Sequence, residues 1–205
     1  MPSQTKRVYF GDFVFVVDEN VYEPAEDSFL FAENLDVKED ERVLDVGAGC
    51  GILGIIAAEK ASEVFIVDVN PYAVRCAKEN AELNNVRGKA YYVQGDLFTP
   101  LCDAREFDVV LFNAPYLPVD EGEADSWLAR AWAGSVSGRQ VIDRFVLEVP
   151  RHLRRTGRVL LMQSTLADVE ETVRKFAEGG MGVRVVASRR LPFFETIVLL
   201  EARFR

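Results

Sequence analysis

Apolar positions along the chain fall into short runs separated by glycine, proline and polar breaks, and their period changes with position. Residues 7–17 hold two β-prone runs on either side of Gly11-Asp12, the pattern of a hairpin. Pro24 fits the first turn of a helix ending near Leu35. From Arg42 onward two periods alternate. Short apolar runs predict strands at 42–45, 64–67, 90–93, 108–112 and 158–162, and longer stretches predict helices at 52–60, 71–83, 141–153 and 166–178. Two closing strands, 183–187 and 196–202, have no helix between them. They must therefore pair antiparallel at an edge, joined through 188–194. The alternation predicts an α/β, Rossmann-like fold: a mostly parallel seven-stranded sheet with helices on both faces and an antiparallel closing strand. Residues 117–137 follow neither period. Irregular stretches of that length are more often functional than accidental, and this one carries Trp127 and Trp132.

A length of 205 residues suits one domain, with 1–35 as an N-terminal hairpin-and-helix extension and 36–205 as the core. With 49% hydrophobic residues the chain can bury a core, so disorder is disfavoured. A formal net charge of −9 disfavours a broad grip on a phosphate backbone and favours a protein or small-molecule substrate. Cys50, Cys76 and Cys102 form no metal-type pair, and His152 is the single histidine, so reduced thiols and no metal in this chain are expected. No apolar run is long enough to span a membrane, and a cytoplasmic location is expected. Arg151, His152, Arg154 and Arg155 read as cations at a helix C-terminus rather than a nucleic-acid patch. Arg189 and Arg190 read as solvated residues of the last connection.

The chemistry concentrates at the carboxyl ends of the predicted strands. Asp45-Val46-Gly47-Ala48-Gly49-Cys50-Gly51 follows one strand and opens a helix, where glycines allow a sharp turn and a close approach to a ligand. A carboxylate two residues before the first glycine would repel a pyrophosphate but suits a positively charged amino-acid moiety, such as that of S-adenosyl-L-methionine. Asp68 ends the next strand, where an acid can accept ribose hydroxyls. Asp96 could accept from an adenine amino group, with Leu97 covering the ring. After the fourth strand comes Asn113-Ala114-Pro115-Tyr116. An amide nitrogen is a poor nucleophile because its lone pair is conjugated. The Asn113 side-chain oxygen and the Ala114 carbonyl could hold its two hydrogens, while Tyr116 offers a flat face for stacking. Pro115 pushes Ala114 out of the α region and stiffens that carbonyl.

These motifs resemble those of the HemK-type protein N5-glutamine methyltransferases, closest to the archaeal and eukaryotic branch acting on class-one release factors. The resemblance covers nearly the whole chain. Val21 through Leu30 resembles that branch's N-terminal signature, and Asp45 through Gly51 with Asp68-Val69-Asn70-Pro71 resembles its cofactor motifs. Ala131-Trp132-Ala133-Gly134 and Gly138 through Phe145 resemble the stretch after its catalytic loop. The resemblance implies a class I methyltransferase fold, methyl transfer to a glutamine of a Gly-Gly-Gln motif, and a small zinc-ribbon activator subunit. It implies cofactor contacts from Ser28, Asp45, Gly47, Gly49, Asp68, Asp96, Leu97 and Asn113, and an acceptor site formed by Asn113, Ala114, Pro115 and Tyr116. Ala114 departs from the family's Asn-Pro-Pro-Tyr pattern and leaves the substrate range more open. Protein lysine and the adenine amino group of nucleic acid are the alternative acceptors. In the family's sheet order the strand at 90–93 lies at an edge and carries no charge, which makes it a candidate surface for the activator.

Overall fold

The computed structural model describes residues 5–119, 126–192 and 194–205. Strands β1 (Lys6–Phe10) and β2 (Phe13–Val17) form the expected hairpin, and Gly11 takes the positive φ its tight turn requires. Helix α1 (Glu26–Glu33) starts later than the proline suggested, because Ala25 is the N-cap and Pro24 precedes it. The core then runs β3 (Arg42–Val46), α2 (Ile52–Ala57), β4 (Glu63–Asp68), α3 (Pro71–Leu83), β5 (Ala90–Gln94) and β6 (Phe107–Asn113). It continues through α4 (Trp127–Arg130), α5 (Gln140–Glu148), β7 (Leu153–Ser164), α6 (Val169–Glu178), β8 (Met181–Arg190) and β9 (Thr196–Phe204).

Seven strands form one sheet in the order β5-β4-β3-β6-β7-β9-β8. β3 to β7 are mutually parallel, whereas β9 lies between β7 and β8 and runs antiparallel to both. The closing pair is thus antiparallel as expected, with β8 at one edge of the sheet and β5 at the other. Alternate side chains of each strand face opposite layers. Val43, Val64, Ile66, Val109 and Leu111 pack with residues of α1, α2 and α3, while Leu44, Val46, Val110 and Phe112 pack with Ile142 and Phe145 of α5 and Phe176 of α6. Both layers are apolar at the sheet, as a parallel sheet covered on two faces demands. The hairpin lies against α3. The Asn84 amide bonds both backbone groups of Val14, and the Asn80 amide bonds both those of Val16 and also reaches the Cys50 carbonyl.

Several boundaries differ from expectation. α5 ends at Glu148 because Pro150 lacks an N–H and turns the chain into a single 3-10 turn, so β7 begins at Leu153. Arg154 and Arg155 therefore belong to β7 and not to a helix end: Arg154 pairs with Asp108 at 2.8 Å, and the Arg155 guanidinium lies 4.6 Å from the Phe204 ring centroid. His152 is buried and stacks on Phe98, and burial holds its imidazole below the ordinary range. Arg189 and Arg190 end β8 and are not in the connection. Arg189 is not simply solvated, since it bridges Glu26 and Glu33 at 2.6 and 2.8 Å and ties α1 to the sheet. Part of the stretch expected to be irregular forms α4, and residues 120–125 lie outside the described residues. No described helix is long and apolar enough to cross a membrane.

Candidate active site

The carboxyl ends of β3, β4, β5 and β6 open into one cleft of about 1160 Å³. This is where a parallel sheet with helices on both faces leaves its loops free to bind. One half is built by the turn between β3 and α2. Gly51 has φ +85°, and a Cβ there would stand 2.9 Å from Ala77 Cβ; only glycine permits the turn and the close packing of α3 together. Asp45 is 1% exposed, and its Oδ2 accepts the Gly54 N–H at 2.8 Å, while its Oδ1 is buried with no hydrogen-bond partner among the described residues. Burial, reinforced by the nearby Asp68 charge, pushes its carboxyl up to about 7. Asp68 accepts the Gly49 N–H and the Asn70 N–H, each at 2.8 Å, so it also fastens the glycine loop. Burial raises its pKa as well. Leu97 is buried in the same wall with φ +49°, an uncommon conformation for a branched side chain. Asp96 lines this half, and its Oδ2 accepts from Arg144 at 2.9 Å.

The other half is built by residues far apart in the chain. Asn113, at the end of β6, donates through Nδ2 to Asp27 Oδ2 at 3.0 Å and to Ser28 Oγ at 3.3 Å. Its Oδ1, the acceptor end of the amide, is buried with no partner among the described residues. Asp27, 6% exposed on the first turn of α1, also accepts from Tyr22 Oη, the Ser28 N–H and the Ser28 hydroxyl, and from Tyr116 Oη at 3.5 Å. Burial first, and then the Asp27 charge, raise the pKa of both tyrosines, so both hydroxyls keep their protons. The Ala114 N–H donates to the Met162 carbonyl at 3.2 Å, which fixes that peptide plane against β7. Residues 126–138 fold back over this half: Leu117 and Val119 bond to the Trp132 and Ser135 carbonyls, and the Gly134 N–H bonds to the Leu117 carbonyl. A Cβ on Gly138 would stand 2.4 Å from the Tyr116 carbonyl. Trp127 and Trp132 both line the cleft.

Residues 23–190 match the methyltransferase small domain family. A Methanocaldococcus jannaschii protein provisionally named a protein N5-glutamine methyltransferase is 43% identical over 181 residues, covering 87% of this chain and 90% of the relative. The chain belongs to the HemK-type methyltransferases, in their archaeal and eukaryotic branch. Human methyltransferase HEMK2 is 31% identical over 182 residues, with 83% of this chain and 84% of that relative covered. Among solved structures, E. cuniculi Mtq2, in the Mtq2–Trm112 complex responsible for methylation of the termination factor eRF1, superposes with a TM-score of 0.71. It is 25% identical and covers 91% of this chain and 99% of its own.

The site residues expected from this methyltransferase's sequence converge on the one cleft. Ser28, Asp45, Gly47, Gly49, Asp68, Asp96, Leu97, Asn113, Ala114, Pro115 and Tyr116 all line it. Arg139, in the stretch that follows, does not. It is buried, donates to the Ala167 and Asp168 carbonyls, the Asp143 carboxylate and the Thr172 hydroxyl, and locks α5 to the start of α6. Sequence reasoning missed Asp27. An acid inside an apolar helix stretch was the available signal, but two acids in a first turn are also ordinary partners of a helix dipole.

Proposed function

We propose that this methyltransferase transfers the methyl group of S-adenosyl-L-methionine to the side-chain amide nitrogen of a protein glutamine, in the Gly-Gly-Gln motif of a class-one release factor. The observation that carries this reading is the Asn113 amide, whose donor end is engaged and whose acceptor end has no partner among the described residues at the cleft wall. The residues present fit the cofactor: the unpartnered Asp45 Oδ1 is a receptor for its ammonium, and Gly47 and Gly49 let backbone approach it. Asp68 would take the ribose hydroxyls with the remaining lone pairs of its oxygens, Asp96 and Leu97 would hold the adenine, and Ser28 and Asn113 would close the methyl end. When bound, the cofactor supplies an electrophilic methyl group that is already activated. The protein's task is to align an amide nitrogen and free its lone pair. Asn113 Oδ1 and the Ala114 carbonyl receive the two amide hydrogens in one plane, and Tyr116 stacks on the flat group. As these acceptors draw on the N–H bonds, the lone pair turns from the carbonyl toward the methyl. The names carried by the Methanocaldococcus relative and the eRF1 acceptor of Mtq2 support glutamine over lysine or adenine.

The Trm112 subunit of the Mtq2 complex supports a small activator partner here, which we take to be a zinc ribbon added along β5. β5 lies at the end of the sheet, and Tyr91 is its exposed tyrosine, while Tyr92 packs into the first layer. Incubating purified enzyme, with and without such a subunit, with labelled cofactor and separate release-factor, histone and DNA acceptors tests both readings. Label on a release factor, lost when the Gly-Gly-Gln glutamine is replaced by asparagine, is the expected result. Label on histone lysine or DNA alone overturns the acceptor, and Tyr91→Lys that binds the subunit unchanged overturns the edge.

A further inference from the structure

Asp27 is buried at the cleft wall and receives five hydrogen bonds. Its two oxygens divide the work. Oδ1 takes the Ser28 N–H at 2.7 Å, the Ser28 hydroxyl at 3.2 Å and the Tyr22 hydroxyl at 3.2 Å. Oδ2 takes Asn113 Nδ2 at 3.0 Å and the Tyr116 hydroxyl at 3.5 Å. An ionised carboxylate can only accept, so the end of the Asn113 amide that faces it must be the NH₂. The second hydrogen of that NH₂ goes to Ser28 Oγ at 3.3 Å. The Ser28 proton is itself directed at Asp27 Oδ1, so a lone pair is what Ser28 turns toward Asn113. One carboxylate thus dictates both contacts of the NH₂, directly and through the serine.

We propose that Asp27 is a positioning residue that fixes which end of the Asn113 amide meets the substrate, so that an oxygen and not an NH₂ faces the acceptor nitrogen. The two ends of an asparagine amide have nearly the same shape, so packing cannot select between them. With the amide reversed, Asn113 Oδ1 would face the Asp27 carboxylate, oxygen against oxygen in a buried place, and a donor would face the hydrogens of the substrate amide. That arrangement repels the acceptor group that Asn113 otherwise receives. The same carboxylate holds the Tyr116 hydroxyl, so the stacking face and the hydrogen-bond acceptor share one anchor on α1. This inference rests on glutamine as the acceptor, and wild-type turnover of a Gly-Gly-Gln substrate checks that reading separately.

The test exchanges the two groups. Asp27→Asn keeps size and places an NH₂ at position 27 that can donate to the Oδ1 of a reversed Asn113. We expect kcat to fall about a hundredfold, with cofactor affinity and acceptor KM changed less than about threefold. Adding Asn113→Asp to Asp27→Asn restores the pair with the carboxylate on the other side. One oxygen of that carboxylate then receives the NH₂ introduced at position 27 and the other faces the substrate, so kcat should recover about tenfold or more over the single variant. Unchanged kcat in Asp27→Asn overturns the proposal, as does a loss that the exchange does not relieve. If Asp27→Asn does not fold, NMR of the wild-type Asn113 side-chain amide decides. Two separate, slowly exchanging Nδ2 protons support the anchor, and fast exchange with solvent overturns it.

Discussion

The two halves of the cleft are built in opposite ways. The half proposed for the cofactor is local: Asp45, Gly47, Gly49 and Gly51 sit within one strand-to-helix turn, and Asp68 ends the adjacent strand and bonds back to Gly49. Its geometry comes from backbone conformations that glycine permits and from buried carboxylates that accept backbone N–H groups. The half proposed for the acceptor is remote: Asn113 and Asp27 are 86 residues apart, and Asp27 and Tyr116 are 89 apart. Its geometry comes from side-chain hydrogen bonds that exist only because α1 docks across the end of β6, held partly by Arg189. On the proposed reading, a preformed backbone turn would bind the cofactor, whereas orientation of the acceptor would depend on long-range packing. Mutations should therefore separate cofactor affinity from turnover.

The largest effect should come from Asn113→Ala. We expect kcat to fall about a hundredfold or more with the fold retained, and with cofactor affinity changed much less than turnover. Near-wild-type turnover would remove the distinction between the halves. Next, Asp68→Ala should weaken cofactor binding by about 1.5–3 kcal/mol. Because Asp68 also fastens Gly49 and Asn70, the loss should lie toward the upper end, measured by calorimetry on a folded variant.

The pH dependence should also map to the cofactor half. The Asp45 carboxyl is raised from 3.8 to about 7, so below that pH the free protein holds a proton there that the proposed cofactor ammonium would displace. Binding should thus be about tenfold weaker at pH 6 than at pH 8, release a proton near neutrality, and lose this dependence in Asp45→Asn. For the ligand-free fold, a raised carboxyl contributes stability that is fully present below the ordinary value. That contribution is lost as pH rises through about 7. Denaturation midpoints of Asp45→Asn should therefore change less than those of wild type as the pH is raised from weakly acidic to weakly basic.

Smaller effects should lie at the anchors of the acceptor half. Tyr116→Phe removes a long bond at 3.5 Å but keeps the ring, so turnover should drop only a few-fold and less than in Tyr116→Ala. Arg189→Ala breaks two solvent-screened ion pairs to α1, so the denaturation midpoint should fall only slightly. If turnover nevertheless falls with cofactor affinity unchanged, the docking of α1 is the control on the acceptor half.

Local sequence was enough for the strand and helix order, for the glycine turn, and for placing Asp45, Asp68 and the tetrapeptide from Asn113 to Tyr116 at strand ends around one cleft. Each is a short-range pattern: an apolar period, a glycine where φ is positive, an acid at a strand end. The hairpin at Gly11 was readable for the same reason. Local pattern failed where partners are distant. β9 slots between β7 and β8, a neighbour pairing that its own apolar run does not specify. Arg189 looks like a solvated arginine until α1 brings Glu26 and Glu33 to it. The tertiary structure alone identifies Asp27 as the group behind Asn113. A hydrogen bond is made or lost over tenths of an ångström, and only the docking of α1 on the sheet sets that distance.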